Sequence, residues 1–168
     1  MRPSLLALLL VAPLWSQPAT PKADPYAAVQ FLVGEWKGEG DGQPGQSSGA
    51  ATFRFELEGN ALVRRSHADY PAANGRPASH HEDLLTLFAE GGDLKALYLD
   101  NENHVIRYRV AAVPEGVAFT SEPAQGPRFR LTYLRKSESL VTVRFEIAPP
   151  AAPEAFKTYL EAATRKVK

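Results

Sequence analysis

Apolar and polar residues alternate with a period of two along most of the chain. The alternation is cleanest in Thr52–Leu57, Arg128–Tyr133 and Leu140–Ile147. Because successive side chains of a strand point to opposite faces, this pattern predicts strands with one buried face. Nine strands are predicted at a spacing of about ten residues: Trp36–Gly40, Thr52–Leu57, Ala61–Ala68, His80–Phe88, Leu94–Asp100, His104–Val110, Val117–Ser121, Arg128–Tyr133 and Leu140–Ile147.

Two segments have the signals of helices instead. Asp24 and Pro25 are a favoured cap and first residue for a short apolar helix over Tyr26–Val33, which Gly34 ends. Pro153 begins a second helix over residues 153–165. Its apolar residues recur at the i, i+3, i+4, i+7 spacing that gives a helix one apolar side, namely Phe156, Tyr159, Leu160 and Ala163.

The strands are separated by short turn signals, which predict consecutive antiparallel hairpins. Asn101-Glu102-Asn103 is one such turn, and Glu58-Gly59-Asn60 is another. Hairpins with one apolar face need a second sheet or closure of the sheet on itself, and closure leaves no exposed strand edge. We therefore predict an all-β fold, an antiparallel up-and-down barrel of about 8–10 strands with a short N-terminal helix and a C-terminal helix.

The N-terminus has the order of a secretory signal peptide. Met1-Arg2 gives a positive start, an uncharged apolar run follows to Trp15, and small and polar residues follow from Ser16. We expect a signal peptide over residues 1–19, a mature domain over residues 20–168 without a transmembrane segment, and a periplasmic or extracellular location. An uncleaved anchor or a buried first helix is the alternative interpretation.

Composition excludes several function classes. Loss of residues 1–19 removes Arg2 and leaves 18 basic against 19 acidic residues, a net charge of −1. This balance offers no long-range attraction to nucleic acid. The chain has no cysteine, so disulfides, thiolate catalysis and cysteine-ligated metals are excluded. No pattern in the sequence indicates an oligomeric state.

The segment around Trp36 resembles known barrel families. Gly34-x-Trp36 after a short helix resembles the lipocalin (calycin) superfamily, and its extension through Gly38, Gly40 and Gly42 is similar to the opening of nitrobindin-type haem-binding barrels. The rest looks more like a bacterial family of exported, lipocalin-like proteins of unknown function. The stretches that carry this likeness are Phe31–Gly42, Leu62–Tyr70, Asp100–Tyr108 and Arg144–Tyr159.

Strand parity predicts which side chains line the interior. A two-residue turn at Gly59-Asn60 would pair Leu57 with Leu62 and Phe55 with Arg64, so that Arg64 points inward. The same reasoning on the other strands gives a mainly apolar interior with a convergent polar set, which is typical of a small-molecule pocket. We predict the ligand-binding residues to be Trp36, Arg64, His81, Asp83, Tyr98, Asp100, His104, Tyr108 and Tyr133.

The favoured function is an exported module that binds a small, partly apolar or amphipathic ligand without a cofactor. A solidly packed structural or interaction barrel is the alternative, because the aromatic residues can fill a small barrel. An enzyme needs a general base, for which His81 with Asp83 or His104 with Asp100 are the pairs available. No catalytic motif is present, so no catalytic residue is assigned.

Haem and metal are the remaining alternatives, and no metal ligand is assigned. Nitrobindin-type barrels bind iron through a histidine near the C-terminal end, whereas the last histidine here is His104. Tyr133 is the remaining axial candidate. A metal site from His81, Asp83 and His104 is conceivable, although a lone histidine on a strand is more often an ordinary hydrogen-bonding residue.

Overall fold

The computed structural model describes residues 24–39, 48–72, 75 and 77–167. Ten antiparallel strands close into a barrel in which each strand pairs with its neighbours in the chain and β10 pairs with β1. The strands are β1 (Gly34–Gly38), β2 (Ser48–Glu56), β3 (Ala61–Tyr70), β4 (Ser79–Glu90), β5 (Asp93–Asp100), β6 (Val105–Val113), β7 (Gly116–Ser121), β8 (Arg128–Arg135), β9 (Leu140–Ala148) and β10 (Lys157–Lys166). The prediction of an all-β antiparallel barrel is confirmed, and all nine predicted strands are present.

The register of the first predicted hairpin differs from the expectation. Phe55 pairs with Leu62 and Phe53 with Arg64, because Leu57–Gly59 forms a 3-10 turn and leaves the strand. Leu57 is 75% exposed, so its predicted inward position is wrong. The shift spans two residues, which preserves the face of each side chain, and Arg64 is buried as predicted.

The predicted C-terminal helix over residues 153–165 is wrong. Lys157–Lys166 is strand β10, which pairs with β9 on one side and with β1 on the other. Without β10, the backbone N–H and C=O groups along one edge of β1 and one edge of β9 would have no partners. The free energy gained by pairing them outweighs the helical preference of the local sequence pattern. The apolar residues that were expected on one side of the helix do not share a face in the strand. Leu160 pairs with Phe145, whereas Tyr159 lies at a bulge and is 75% exposed.

A short N-terminal helix is present, but as the 3-10 helix Ala27–Leu32. It packs across one end of the barrel, where the Tyr26 hydroxyl donates to the Asn60 carbonyl oxygen at 2.6 Å and Leu32 is fully buried. The Trp36 indole Nε1–H donates to the Leu32 carbonyl oxygen at 2.7 Å, which ties the helix to β1. We call this the helix end. The opposite end, with the β3–β4, β5–β6, β7–β8 and β9–β10 connections, is the loop end.

The hydrophobic core fills the helix end. Inward-facing side chains there are at most 1% exposed: Val29, Leu32, Phe53, Leu62, Leu85, Leu87, Val117, Phe119 and Val141. Toward the loop end, polar residues also occupy inward-facing positions. On β4, fully buried Leu85 and Leu87 are preceded by Asp83 and His81, which share their face. On β4 the inward face therefore changes from apolar at the helix end to polar at the loop end.

The expected signal peptide, residues 1–19, lies outside the described residues, as do Gly40 and Gly42 of the glycine-rich run. In the described part of the chain, neither helical segment has the length and apolar character needed to cross a membrane.

Candidate functional site: the loop-end cup

The inner wall at the loop end is partly exposed. Seven inward-facing apolar residues from five strands are only half-buried there, and two of them are small alanines. They are Ala51, Ile106, Phe129, Val143, Phe145, Leu160 and Ala162. The rings of Phe129 and Phe145 stack with centroids 5.9 Å apart. We call this partly exposed interior the loop-end cup. Side chains that face inward yet keep contact with solvent mark space that the core does not fill.

The floor of the cup holds a buried ion pair. The Arg64 guanidinium donates through Nη2 to Asp83 and through Nη1 to the Tyr133 hydroxyl, and the side chains of Arg64 and Asp83 are 8% and 7% exposed. Burial alone would lower the pKa of Arg64, but the contacts with Tyr133 and Asp83 outweigh burial and raise it. Arg64 is therefore a permanent buried cation held by one carboxylate.

One donor of this cation is unused. The Nε–H of Arg64 is buried and has no hydrogen-bond partner among the residues that the structure describes. An unpaired buried donor on a charged group is unfavourable, and an acceptor that reached it would remove the penalty.

Three tyrosines with protonated hydroxyl groups lie near this pair. Burial raises the pKa of Tyr133, Tyr108 and Tyr98, and the negative charges of Asp83 and Asp100 raise that of Tyr98 further. Tyr133 and Tyr108 each meet the ring of Phe119 edge-on, at 5.8 and 6.3 Å. Their rings thus belong to the packed core while their hydroxyl groups lie near Arg64.

A chain of polar contacts runs from the floor to the rim. His81 Nε2 lies 3.7 Å from Asp83 Oδ2 and 3.1 Å from the Tyr98 hydroxyl oxygen, and that hydroxyl donates to Asp100 Oδ2 at 3.1 Å. β4 and β5 position these groups, because Asp83 is the cross-strand partner of Asp100. Asp83 connects this chain to Arg64 and Tyr133, so the structure brings together six of the predicted site residues: Arg64, His81, Asp83, Tyr98, Asp100 and Tyr133.

Asp100 organises the β5–β6 turn. Its Oδ1 accepts from the backbone N–H groups of Glu102 and His104 at 3.0 and 2.9 Å, and its Oδ2 lies 2.8 Å from His104 Nδ1. Burial alone raises the pKa of Asp100, but the hydrogen bonds from His104, Glu102 and Tyr98 outweigh burial and lower it. Asp100 is thus an ionised carboxylate at neutral pH.

Two of the predicted site residues lie apart from the interior network. His104 precedes β6 in the β5–β6 turn, and its side chain is 56% exposed, so the prediction that it points into the barrel is wrong. It still contacts the network through Asp100. Trp36 is buried as predicted, but its indole is bonded toward the helix end through Leu32.

Neither Glu102 nor the apolar wall of Phe129, Val143 and Phe145 is among the site residues predicted from the sequence. Phe129, Val143 and Phe145 were expected to face inward, yet alternation alone does not distinguish a packed interior position from an open one. Glu102 was interpreted as a turn residue, and its Oε1 lies 3.4 Å from His81 Nδ1. Glu102 lies between Asp100 and His104 in the sequence, and this proximity to two predicted site residues could have indicated that it belongs to the site.

The residues do not fit haem. Strands β8 and β9 have no histidine, and the Tyr133 hydroxyl is bonded to Arg64 while its ring is packed between Phe53 and Phe119. In comparisons with known proteins, the chain matches no protein-family model and no curated protein.

Proposed function

We propose that this protein is a lipocalin-like carrier or sensor that binds one small, partly apolar molecule in the loop-end cup. One observation carries the proposal. Most of the side chains that are at most 1% exposed lie toward the helix end, whereas most inward-facing apolar side chains at the loop end are half-buried, so we infer that the barrel is filled mainly from the helix end. A concave, mainly apolar space with a few convergent polar groups is the usual form of a small-molecule site.

The number of strands supports the proposal. Barrel diameter grows roughly linearly with strand number, and an interior of eight strands is just filled by side chains or holds one small ligand. Ten strands make the barrel about a quarter wider. The core at the helix end needs large aromatic residues and the N-terminal helix to fill this width, whereas the cup has small side chains such as Ala51 and Ala162.

The chemistry of the cup favours a ligand with an apolar body and a hydrogen-bond acceptor. Phe129, Phe145 and Val143 offer an apolar wall. Arg64 has an unused buried donor, its Nε–H. A carbonyl or carboxylate oxygen suits this donor, because it would satisfy the unpaired N–H while the remainder of the ligand covers apolar surface.

Two substitutions of the same kind on opposite faces test the site. Val143→Trp fills the cup, whereas Val105→Trp adds the same bulk on a residue that is 64% exposed. We expect protein from the native envelope to carry a small organic mass in native mass spectrometry, and 8-anilinonaphthalene-1-sulfonate to bind purified protein with enhanced fluorescence.

Val143→Trp should abolish both signals, and Val105→Trp should leave them unchanged. Absence of both signals in the wild-type protein, or equal signals in the two variants, would refute the proposal in favour of a packed barrel without a ligand.

We further propose that the protein acts outside the cytoplasm, because residues 1–19 have the order of a signal peptide. The intact mass of protein purified from the envelope tests this directly. A mass that corresponds to a chain beginning near residue 20 supports export, whereas a full-length chain in the cytoplasmic fraction contradicts it.

A further inference from the structure

We propose that the rim of the barrel binds a divalent transition-metal ion of the zinc class through His81, Asp100 and Glu102. Each of these residues offers one donor atom, and the three atoms lie within 4.8 Å of one another. Bonds from a metal to nitrogen or carboxylate oxygen are about 2.0–2.2 Å long, so tetrahedral ligand atoms lie about 3.4 Å apart. His81 Nδ1 and Glu102 Oε1 are 3.4 Å apart, which is this distance.

The hydrogen bonds of His81 determine which ring nitrogen is available. The Asp100 carboxylate only accepts, so the Tyr98 hydroxyl uses its proton to donate to Asp100 Oδ2. The Tyr98 oxygen, at 3.1 Å, must then accept from His81 Nε2–H. In the neutral ring, Nδ1 consequently carries a lone pair.

That lone pair meets another acceptor. His81 Nδ1 faces Glu102 Oε1, a carboxylate oxygen, and two acceptors at 3.4 Å repel each other unless a cation lies between them. Glu102 is 59% exposed and has the freedom to turn away, yet it lies against the histidine. A metal ion between the two atoms would convert this repulsion into two bonds.

The surrounding groups match the outer shell of a metal site. Histidines that bind metal almost always donate their other ring N–H to a carboxylate, a carbonyl or water. Here Nε2 contacts the Tyr98 oxygen and lies 3.7 Å from Asp83 Oδ2. The Asp100 carboxylate is oriented by backbone N–H groups.

The donor set limits the choice of metal. One imidazole and two carboxylates, with no sulfur ligand, suit zinc and its neighbours rather than copper(I), and two carboxylates balance a divalent charge. Three protein ligands leave a position for water. His104 Nδ1 lies 2.8 Å from Asp100 Oδ2, and metal binding at that oxygen would replace this contact.

Calorimetric titration of metal-free, chelator-treated protein with Zn²⁺ tests the proposal, with Co²⁺ absorption as a second readout of coordination geometry. We expect one ion per chain. Glu102→Gln keeps the size and removes the charge at an exposed turn position, and it should weaken binding at least about tenfold. Glu82→Gln, on the outward face of β4, is the matched control and should bind as the wild type does.

Two results would overturn the proposal: no saturable Zn²⁺ binding by the wild-type protein, or equal affinities in the Glu102→Gln and Glu82→Gln variants. Binding of the fluorescent probe in the cup is measured on metal-free protein, so failure of the metal site is distinguishable from failure of the proposed ligand site.

Discussion

Removal of the buried cation at the floor of the cup should destabilise the barrel strongly. Arg64→Met keeps the approximate length of the side chain but deprives Asp83, which is 7% exposed, of its counter-charge and the Tyr133 hydroxyl of its donor. Breaking a buried ion pair by removal of one partner costs about 3–5 kcal/mol, because the remaining charge is left without compensation.

A second substitution should recover most of that loss. In Arg64→Met/Asp83→Leu both charges are absent, and apolar replacement of an entire buried ion pair is often neutral or stabilising. The free energy of unfolding of the double variant should therefore lie within about 1–2 kcal/mol of the wild-type value, because only packing changes remain. If Asp83→Leu alone costs as much as Arg64→Met alone, the coupling energy between the two positions should be at least about 4 kcal/mol.

Urea unfolding followed by circular dichroism at neutral pH measures all four proteins of this cycle. The singly substituted proteins should unfold at lower urea concentration with unchanged slope. Single-substitution losses below about 1 kcal/mol would show that the pair is solvated. A double variant as unstable as the sum of the single variants would show that the two charges do not interact. Either result refutes the description of the cup floor as a buried pair.

Three further outcomes follow from the packing and the charges. Trp36→Ala should lower the free energy of unfolding by about 3–5 kcal/mol, measured by urea titration, because the indole is buried. Gly116→Ala should cost about 1–3 kcal/mol in the same assay, because a Cβ there would lie 2.0 Å from the Tyr133 carbonyl oxygen; wild-type stability would contradict that close approach. Arg130 donates to Glu146 and lowers its pKa. A carboxylate whose pKa is lower in the folded state than in the unfolded state stabilises the fold above its unfolded pKa of about 4.3. Glu146→Gln should therefore lower thermal stability at neutral pH, and this loss should shrink as the pH falls below about 4. A loss that did not depend on pH would show that the charge of Glu146 does not stabilise the fold.

The strands were predictable because the alternation of apolar and polar residues is a property of neighbouring residues. Closure of the barrel buries the same apolar face that this alternation predicts. In β8 and β9 every second residue is apolar, and the structure places those residues inside. The C-terminal segment was not predictable in this way. Its spacing of Phe156, Tyr159 and Leu160 satisfies a helical period, and only the unpaired edges of β1 and β9 make it a strand.

Part of the candidate site followed from parity, and part did not. Arg64 and Asp83 were predicted to face inward, and the two-residue register error of the first hairpin did not alter that face. His104 was misplaced because strand parity has no meaning beyond the end of a strand, and β6 begins one residue later. Glu102 was missed because its contact with His81 joins residues from different hairpins.

The sequence by itself determined the fold class, the inward face of most strands and the identity of the buried cation, because alternation and charge are properties of neighbouring residues. Only the tertiary structure decided which end of the interior is filled and which polar groups meet. Arg64 finds Asp83 on the next strand and Tyr133 across the barrel, 69 residues away in the chain. Such contacts depend on closure and on the register of every strand between them, and the period of a single strand does not encode them.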